Sequence, residues 1–188
     1  MKTEKVLSII FIISLLIKLM HWPGGSAIMI LSLLGLALCY FPLGFYFLNE
    51  KNVFKQKLGI SIVFGWLLSV AIIGILFKLM FWPGSGPMLI IGFLTALIFS
   101  IIAFFMFKNA LTGETKHFHK NLLLRSLILF VLSFICYLLP NEVLINHYYS
   151  QEPILKDLYL KQIQNPNDKE IQKEIDIYRA QQFKNEIK

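Results

Sequence analysis

Acidic residues are scarce in the first 140 residues of this 188-residue chain. Only Glu4, Glu50 and Glu114 occur there, against eleven Lys and Arg residues. Charged residues make up 15% of the whole chain, well below the roughly 25% of a typical soluble domain. The chain therefore lacks the polar surface that a water-exposed globular domain needs, and its mean hydropathy of +0.65 agrees with this.

Patterns that support catalysis or metal binding are also missing. The sequence has no Ser-His-Asp set, H-E-x-x-H motif, Walker loop or paired carboxylates. Cys39 and Cys136 each fall in an apolar run and are interpreted as small buried hydrophobic residues. We predict no enzyme, no catalytic residue, no cofactor and no metal site. A membrane-bound enzyme using His117, His119 and His147 is the third-ranked hypothesis, and metal binding at the first two lacks a further ligand.

Long apolar runs dominate the sequence instead. Crossing the hydrocarbon core takes about 20 mainly apolar residues in a helix. Five segments qualify: Val6–Trp22, Ala27–Leu48, Leu58–Met80, Pro87–Phe107 and Asn121–Leu139. We predict an all-α, polytopic membrane protein with five transmembrane helices and a short helical C-terminal tail. A cleaved signal peptide is the alternative for the first run, but no small-x-small site follows it and we favour its retention.

Basic residues between the runs predict the orientation. One side has the N-terminus and two loops, with Lys2, Lys5, Lys51, Lys55, Lys57, Lys108, Lys116 and Lys120, and Arg125 is close by. The positive-inside rule then places the N-terminus in the cytoplasm and, after five crossings, the tail in the periplasm of a cell with an inner membrane. Basic residues at helix ends indicate contact with the lipid bilayer rather than with nucleic acid.

The tail, residues 141–188, is predicted to be soluble and helical. Glu152–Ile163 forms one short helix, Asn165-Pro166-Asn167 a turn, and Asp168 the N-cap of a second helix. Ile171, Ile175 and Tyr178 fall at helical spacing as a narrow apolar stripe. Such a stripe needs a partner surface, which is another tail, the first tail helix or another protein.

An internal repeat is the most informative feature. Lys18-Leu19-Met20-His21-Trp22-Pro23-Gly24 recurs sixty residues later as Lys78-Leu79-Met80-Phe81-Trp82-Pro83-Gly84, with six of seven positions identical. Each copy joins two apolar runs. The repeat predicts four regions: a first transmembrane hairpin at 1–48, a second at 49–108, a loop and fifth helix at 109–140, and the tail at 141–188.

The motif is interpreted as a tight turn anchored at the membrane surface. Pro23 and Pro83 end the preceding helix, and Gly24 and Gly84 allow positive φ. Trp22 and Trp82 prefer the interface, while Lys18 and Lys78 are expected to extend to the headgroups. The alternative is that both lysines point inward and bind an anion or a partner's acid. His21 could titrate near neutral pH, but its counterpart is Phe81, so the turn does not require histidine.

At this motif the sequence resembles the N-terminal membrane region of the gliding-motility family GldL. The closest stretch is Gly74 to Phe105, GILFKLMFWPGSGPMLIIGFLTALIFSIIAFF, and the first repeat is similar and keeps His21. In that family a similar F-K-x-x-H-W-P-G turn joins two transmembrane helices. The resemblance implies an inner-membrane protein related to a motor component that works with GldM in gliding and protein secretion of Bacteroidota.

The chain differs from that family where energy conversion is expected. The resemblance places a membrane glutamate soon after the I-G pair, but Ile91–Leu97 and Leu33–Leu38 contain none. This chain is also expected to have two hairpins and a fifth helix where the family has one hairpin, and it lacks the family's long cytoplasmic C-terminal region. We therefore expect a non-enzymatic protein that acts by helix packing with a protein partner or as a homo-oligomer. The alternative is a small transporter or channel between the two hairpins, with Lys18, Lys78 and Arg125 facing a wet cavity.

Overall fold

A computed structural model describes residues 2–41, 58–111, 113–166 and 168–186. Over these residues the chain forms eight helices and no strand, which confirms the all-α class. The helices are α1 Lys2–Leu19, α2 Gly25–Tyr40, α3 Leu58–Met80, α4 Ser85–Lys108, α5 Gly113–Leu138, α6 Asn141–Tyr148, α7 Pro153–Gln164 and α8 Lys169–Glu186. They divide into two compact units, Met1–Leu138 and Leu139–Lys188.

Among the described residues, three helices are long and apolar enough to cross a membrane, not five as the sequence predicted. They are Gly59–Met80, Ser85–Lys108 and Thr115–Leu138. α1 has 18 residues, and four of them are charged (Lys2, Glu4, Lys5 and Lys18), each of which is costly at membrane depth. α2 has 16 described residues. The remainder of its predicted span, and the loop with Lys51, Lys55 and Lys57, lie outside the described residues.

The fifth helix starts earlier than predicted. The sequence placed a loop at residues 109–120, but α5 begins at Gly113. Its first two turns are polar and include Lys116 and Lys120. A helix can extend past the hydrocarbon core because its backbone hydrogen bonds are internal and need no lipid surroundings. The basic residues of the predicted loop are therefore on the polar end of a helix.

Helix α3 is at the centre of the first unit, Met1–Leu138, which we call the membrane unit. It packs against α2, α4 and α5, while α1 packs on α2 and α4 on α5. Leu68, Ala71 and Ile75 on α3 are fully buried. By contrast, α4 and α5 each expose a broad face of large aliphatic and aromatic side chains. This is the pattern of one interior helix surrounded by helices that face lipid or partners.

Two glycines allow α3 and α4 to approach closely. A Cβ added at Gly92 would lie 2.7 Å from the Cα of Ala71, and one at Gly74 would lie 2.9 Å from the carbonyl oxygen of Met88. Both contacts are with backbone atoms, so the neighbour cannot move aside. Small residues allow membrane helices to pack closely, and these two glycines act in this way, whereas Gly59 has nothing within 4 Å.

The tail unit is three helices with a small core of its own. Asp168 caps α8 as predicted, since its Oδ1 accepts a hydrogen bond of 2.8 Å from the Glu170 N–H. Helix α6, Asn141–Tyr148, was not predicted. Ile175 is fully buried where α8 packs on α7. The first tail helix is thus one surface that the stripe meets, through Ile175, whereas Ile171 and Tyr178 stay partly exposed.

Candidate functional site

The repeated turn has the same backbone in both copies. The Trp22 N–H donates to the Ile17 carbonyl and the His21 N–H to the Lys18 carbonyl, over 3.1 and 3.2 Å. In the second copy, Trp82 and Phe81 donate to the equivalent carbonyls, sixty residues along, over 3.0 and 3.3 Å. This pair of bonds defines a Schellman motif, in which the residue after the helix cap adopts a left-handed conformation. That residue is His21 at φ 59° and Phe81 at φ 55°.

The remaining motif residues start the next helix. Gly24 and Gly84 have φ values of 84° and 80°, a conformation that costs glycine little. Their carbonyls accept the first helical hydrogen bonds, from the Ile28 and Met88 N–H groups, over 3.1 and 3.2 Å. Each hairpin is thus closed by two left-handed residues with a Trp-Pro pair between them. The left-handed residue before the tryptophan was missed by the sequence reasoning.

Lys18 joins the two turns to each other. Its side chain is 7% exposed, and its Nζ donates to the carbonyl oxygen of Leu79 over 2.8 Å. That carbonyl belongs to the last turn of α3, where backbone acceptors have no partner within the helix. The same ammonium lies 5.9 Å from the centre of the Phe81 ring. Lys18 of the first turn therefore caps the helix that ends at the second turn, and it also meets that turn's aromatic residue.

Lys78 occupies a different setting. It is 8% exposed and lies near Cys136 on α5. Packing within the chain covers both lysines, and the bond of Lys18 is to a backbone carbonyl. The anchoring interpretation and its inward alternative both stay predictions.

The aromatic residues of the two turns also differ in exposure. Trp22 is 60% exposed, whereas Trp82 is half-buried. The Trp82 ring meets Phe77 edge-to-face, with centroids 5.1 Å apart. This is the apolar contact that often accompanies a Schellman motif. The first copy has Ile17 at the equivalent position and no aromatic pair. His21 is half-buried, while Phe81 is buried.

An ion pair lies toward the opposite ends of the helices. Glu4 of α1 and Arg125 of α5 are 2.9 Å apart, and the Tyr40 hydroxyl of α2 donates to the other Glu4 oxygen. Three helices are thereby joined by one polar cluster. The sequence counted Glu4 only as a terminal charge and Arg125 only as a basic residue. Their partnership spans 121 residues, and no local spacing pattern signals it.

The three cations of the transport hypothesis lie in different surroundings. Arg125 lines a cavity whose other lining residues are mostly apolar, and neither Lys18 nor Lys78 lines it.

The two histidines at the polar start of α5 have different neighbours. His119 Nδ1 lies 2.8 Å from the Met106 carbonyl oxygen, and His117 lies 3.4 Å from the Asn121 amide. His119 thus connects α5 to α4.

The tail has its own buried polar cluster. Tyr159 stacks on Tyr149 with ring centroids 4.8 Å apart, and the Arg179 guanidinium lies 5.4 Å from the Tyr159 ring centre. Burial, followed by the nearby Tyr149 hydroxyl, raises the pKa of Tyr159 far above its usual range. Tyr159 therefore stays neutral throughout the physiological pH range, and its ring acts as a packing surface.

A comparison with known protein families gives a match that covers most of the second hairpin. Residues 63–120 match the family model described as GldL N-terminal domain. The match runs from α3 through the second turn and α4 to the polar start of α5, and it covers 58 of the 188 residues. No curated protein and no solved structure matches the chain. The resemblance of the first hairpin to the GldL family stays a prediction. The second turn and α4 lie inside the matched segment, so this part of the chain is similar to the GldL N-terminal domain.

Proposed function

We propose that this chain is a non-enzymatic membrane subunit that works through helix packing with copies of itself or with membrane partners. The observation that carries the proposal is the match of residues 63–120 to the GldL N-terminal domain. Three apolar helices of membrane-spanning length support a location in the bilayer. The match describes a segment of the chain, so the link to gliding or secretion is part of the proposal.

Helix α4 is the surface that we propose for assembly. It lies wholly inside the matched segment, and only one face of it is used within the chain. Leu89, Ala96 and Ala103 face inward and are buried, whereas Leu94 and Ile98 are 47% and 52% exposed. A partner helix placed on this outer face would complete the packing that α3 and α5 provide on the inner face.

Photocrosslinking in intact membranes tests this assembly. A photoreactive amino acid at Leu94 is expected to yield adducts that contain a second protein chain. The same amino acid at Ala96, which is fully buried within the chain, is the matched control and should yield none. Lipid adducts alone at Leu94 and at Ile98, with a monomer by native mass spectrometry, would refute assembly through this face.

The proposed topology places the short α4–α5 connection in the cytoplasm and the tail in the periplasm of the inner membrane. Three crossings place the start of α3 and the tail on opposite sides, and the α4–α5 connection shares the side of that start. Leu111 is fully exposed, so Leu111→Cys reports its side through labelling by an impermeant thiol reagent. We expect Leu111→Cys to be labelled only after the membrane is opened. We expect Ile177→Cys in the tail to be labelled as soon as the periplasm is accessible. Equal labelling of both would contradict this topology.

A further inference from the structure

A groove on the membrane unit has the shape and chemistry of a site for one amphiphile. It has a volume of about 480 Å³ and lies between α1, α2, α3 and α5. Twelve of its sixteen lining residues are aliphatic or Phe. The polar lining residues are Glu4, Ser8, Tyr40 and Arg125, and three of them form the ion-paired cluster described above. An apolar cavity with a few convergent polar groups is the usual form of a small-molecule site.

The groove opens sideways toward the surroundings of the helices. Its floor is made by buried residues, including Leu33 on α2 and Ile75 on α3. Its two walls are made by α1 and α5, where Ile12 and Ile128 are each 55% exposed. In a membrane, such an opening faces the lipid, so an occupant can enter laterally without crossing the protein.

The length of the groove matches one leaflet of the bilayer. Its lining on α5 runs from Arg125 to Ile135, ten residues along a helix, or about 15 Å. The hydrocarbon core of a bilayer is about 30 Å thick, so one leaflet contributes about half of that. The charged cluster is at the Arg125 end alone. An extended acyl chain with its polar head beside Arg125 would fit these dimensions and this polarity.

The wall side chains favour a flexible chain over a second helix. Helices pack closely in membranes where Gly, Ala or Ser line the contact. Here the walls are built mainly from large branched residues, among them Ile12, Ile128 and Ile135, which hold a helix backbone away. An acyl chain adapts to such an uneven surface, and guanidinium groups suit phosphate recognition.

We propose that this groove binds the acyl chain of one phospholipid, with the lipid phosphate at the Arg125 end. The Glu4 carboxylate accepts hydrogen bonds from both the Arg125 guanidinium and the Tyr40 hydroxyl, which fixes the guanidinium at this end of the groove. The site rests on the membrane location proposed above and does not depend on any protein partner. Since Arg125 is near the predicted cytoplasmic ends of the helices, the lipid would come from the cytoplasmic leaflet.

Native mass spectrometry of the full chain, released from membranes in a mild detergent, tests the site. The unmodified protein is expected to retain one phospholipid per chain. Filling the groove from both walls with Ile12→Trp and Ile128→Trp should lower the lipid-bound fraction at least tenfold. The matched control, Leu31→Trp with Leu38→Trp, alters exposed positions on α2 (71% and 69%) that do not line the groove, and it should leave lipid retention unchanged.

The headgroup contact has a separate test. Arg125→Gln is expected to weaken phospholipid retention about tenfold while leaving retention of added diacylglycerol, which lacks phosphate, unchanged. Arg125→Lys keeps the charge and should restore most phospholipid retention. No retained lipid in the unmodified protein, retained detergent instead, equal retention in the filled variant, or a second copy in the groove would each overturn the groove site alone. Absence of the chain from the membrane fraction would overturn both this site and the proposed function.

Discussion

The two hairpins of the membrane unit differ in surroundings although their turns share six of seven residues. Both turns have the same pair of Schellman hydrogen bonds and the same left-handed glycine. Yet Lys18 caps the carbonyl of Leu79 across the repeat, whereas Lys78 lies beside α5 near Cys136. The local backbone therefore follows from the motif, while the role of each side chain depends on which neighbour the fold supplies. The two turns thus share a backbone, and their lysines make different contacts.

The helix contacts of the two hairpins differ at equivalent positions as well. Ser14 and Ser32 in the first hairpin correspond to Gly74 and Gly92 in the second. All four positions are small, and Gly74 and Gly92 lie against backbone atoms of the facing helix. The first hairpin has its close approach at another position, Gly25, where an added Cβ would lie 2.9 Å from the Lys18 backbone nitrogen. The second hairpin is the one that overlaps the match to the GldL N-terminal domain.

Exchanging one of these residues should have the largest effect. Gly92→Ser places the residue of the first hairpin in the second, with its Cβ 2.7 Å from the Ala71 Cα. Because the helices must separate, we expect a loss of about 3 kcal/mol in the free energy of unfolding, the upper end of typical overpacking costs. Equilibrium unfolding in mixed micelles measures this. Gly86→Ser, where nothing lies within 4 Å, is the control, and an equal loss there would show that the close contact is not the cause.

Removing the capping lysine should have the next largest effect. Lys18→Met deletes a charged hydrogen bond to a buried carbonyl, which typically contributes about 2 kcal/mol. Lys78→Met should cost less, since among the described residues it has no equivalent carbonyl bond. Hydrogen exchange of the peptide that contains the second turn is the measurement. Faster exchange is expected in Lys18→Met, although the substitution is in the other hairpin, and unchanged exchange there would contradict the cross-repeat cap.

Exchange of the two left-handed residues should have the third largest effect. Phe81→His removes the ring that faces the Lys18 ammonium, at a cost of about 1 kcal/mol. Close to that ammonium, the new imidazole should have a pKa below its unfolded value of about 6.5. The unfolded chain then binds more protons, so stability should fall further as the pH drops through that value. His21→Phe, at the half-buried position, is the reciprocal control. If the free energy of unfolding of Phe81→His does not change with pH, the Lys18 contact is contradicted.

The smallest effect is expected from the aromatic pair. Phe77→Ile introduces the first-hairpin residue into the second and removes the edge-to-face contact with Trp82. Such pairs contribute about 0.5–1.5 kcal/mol beyond burial, and we expect the lower end because Trp82 is half-buried. Micelle unfolding is again the measurement, with Ile17→Phe as the reciprocal substitution. If both substitutions change stability equally, the two turns are more alike than the structure indicates.

Sequence reasoning succeeded where the cause was local. The Pro-Gly ending predicted the two turns, Asp168 predicted a helix cap, and the apolar runs predicted α3, α4 and α5 as spans. It failed for the count of spans, since α1 combines an apolar run with four charges. It did not predict the bond from Lys18 to the Leu79 carbonyl, because whether a lysine side chain is covered depends on a neighbouring helix.

By itself, the sequence determined the helical class, the repeated turn and the resemblance to GldL, because helix periodicity, proline geometry and glycine freedom act within a few residues. Only the tertiary structure decided that α3 is central, that Lys18 caps a helix sixty residues away, and that Glu4 pairs with Arg125 at the end of an apolar groove. These depend on long-range packing, in which each contact is set by helices that no local pattern brings together.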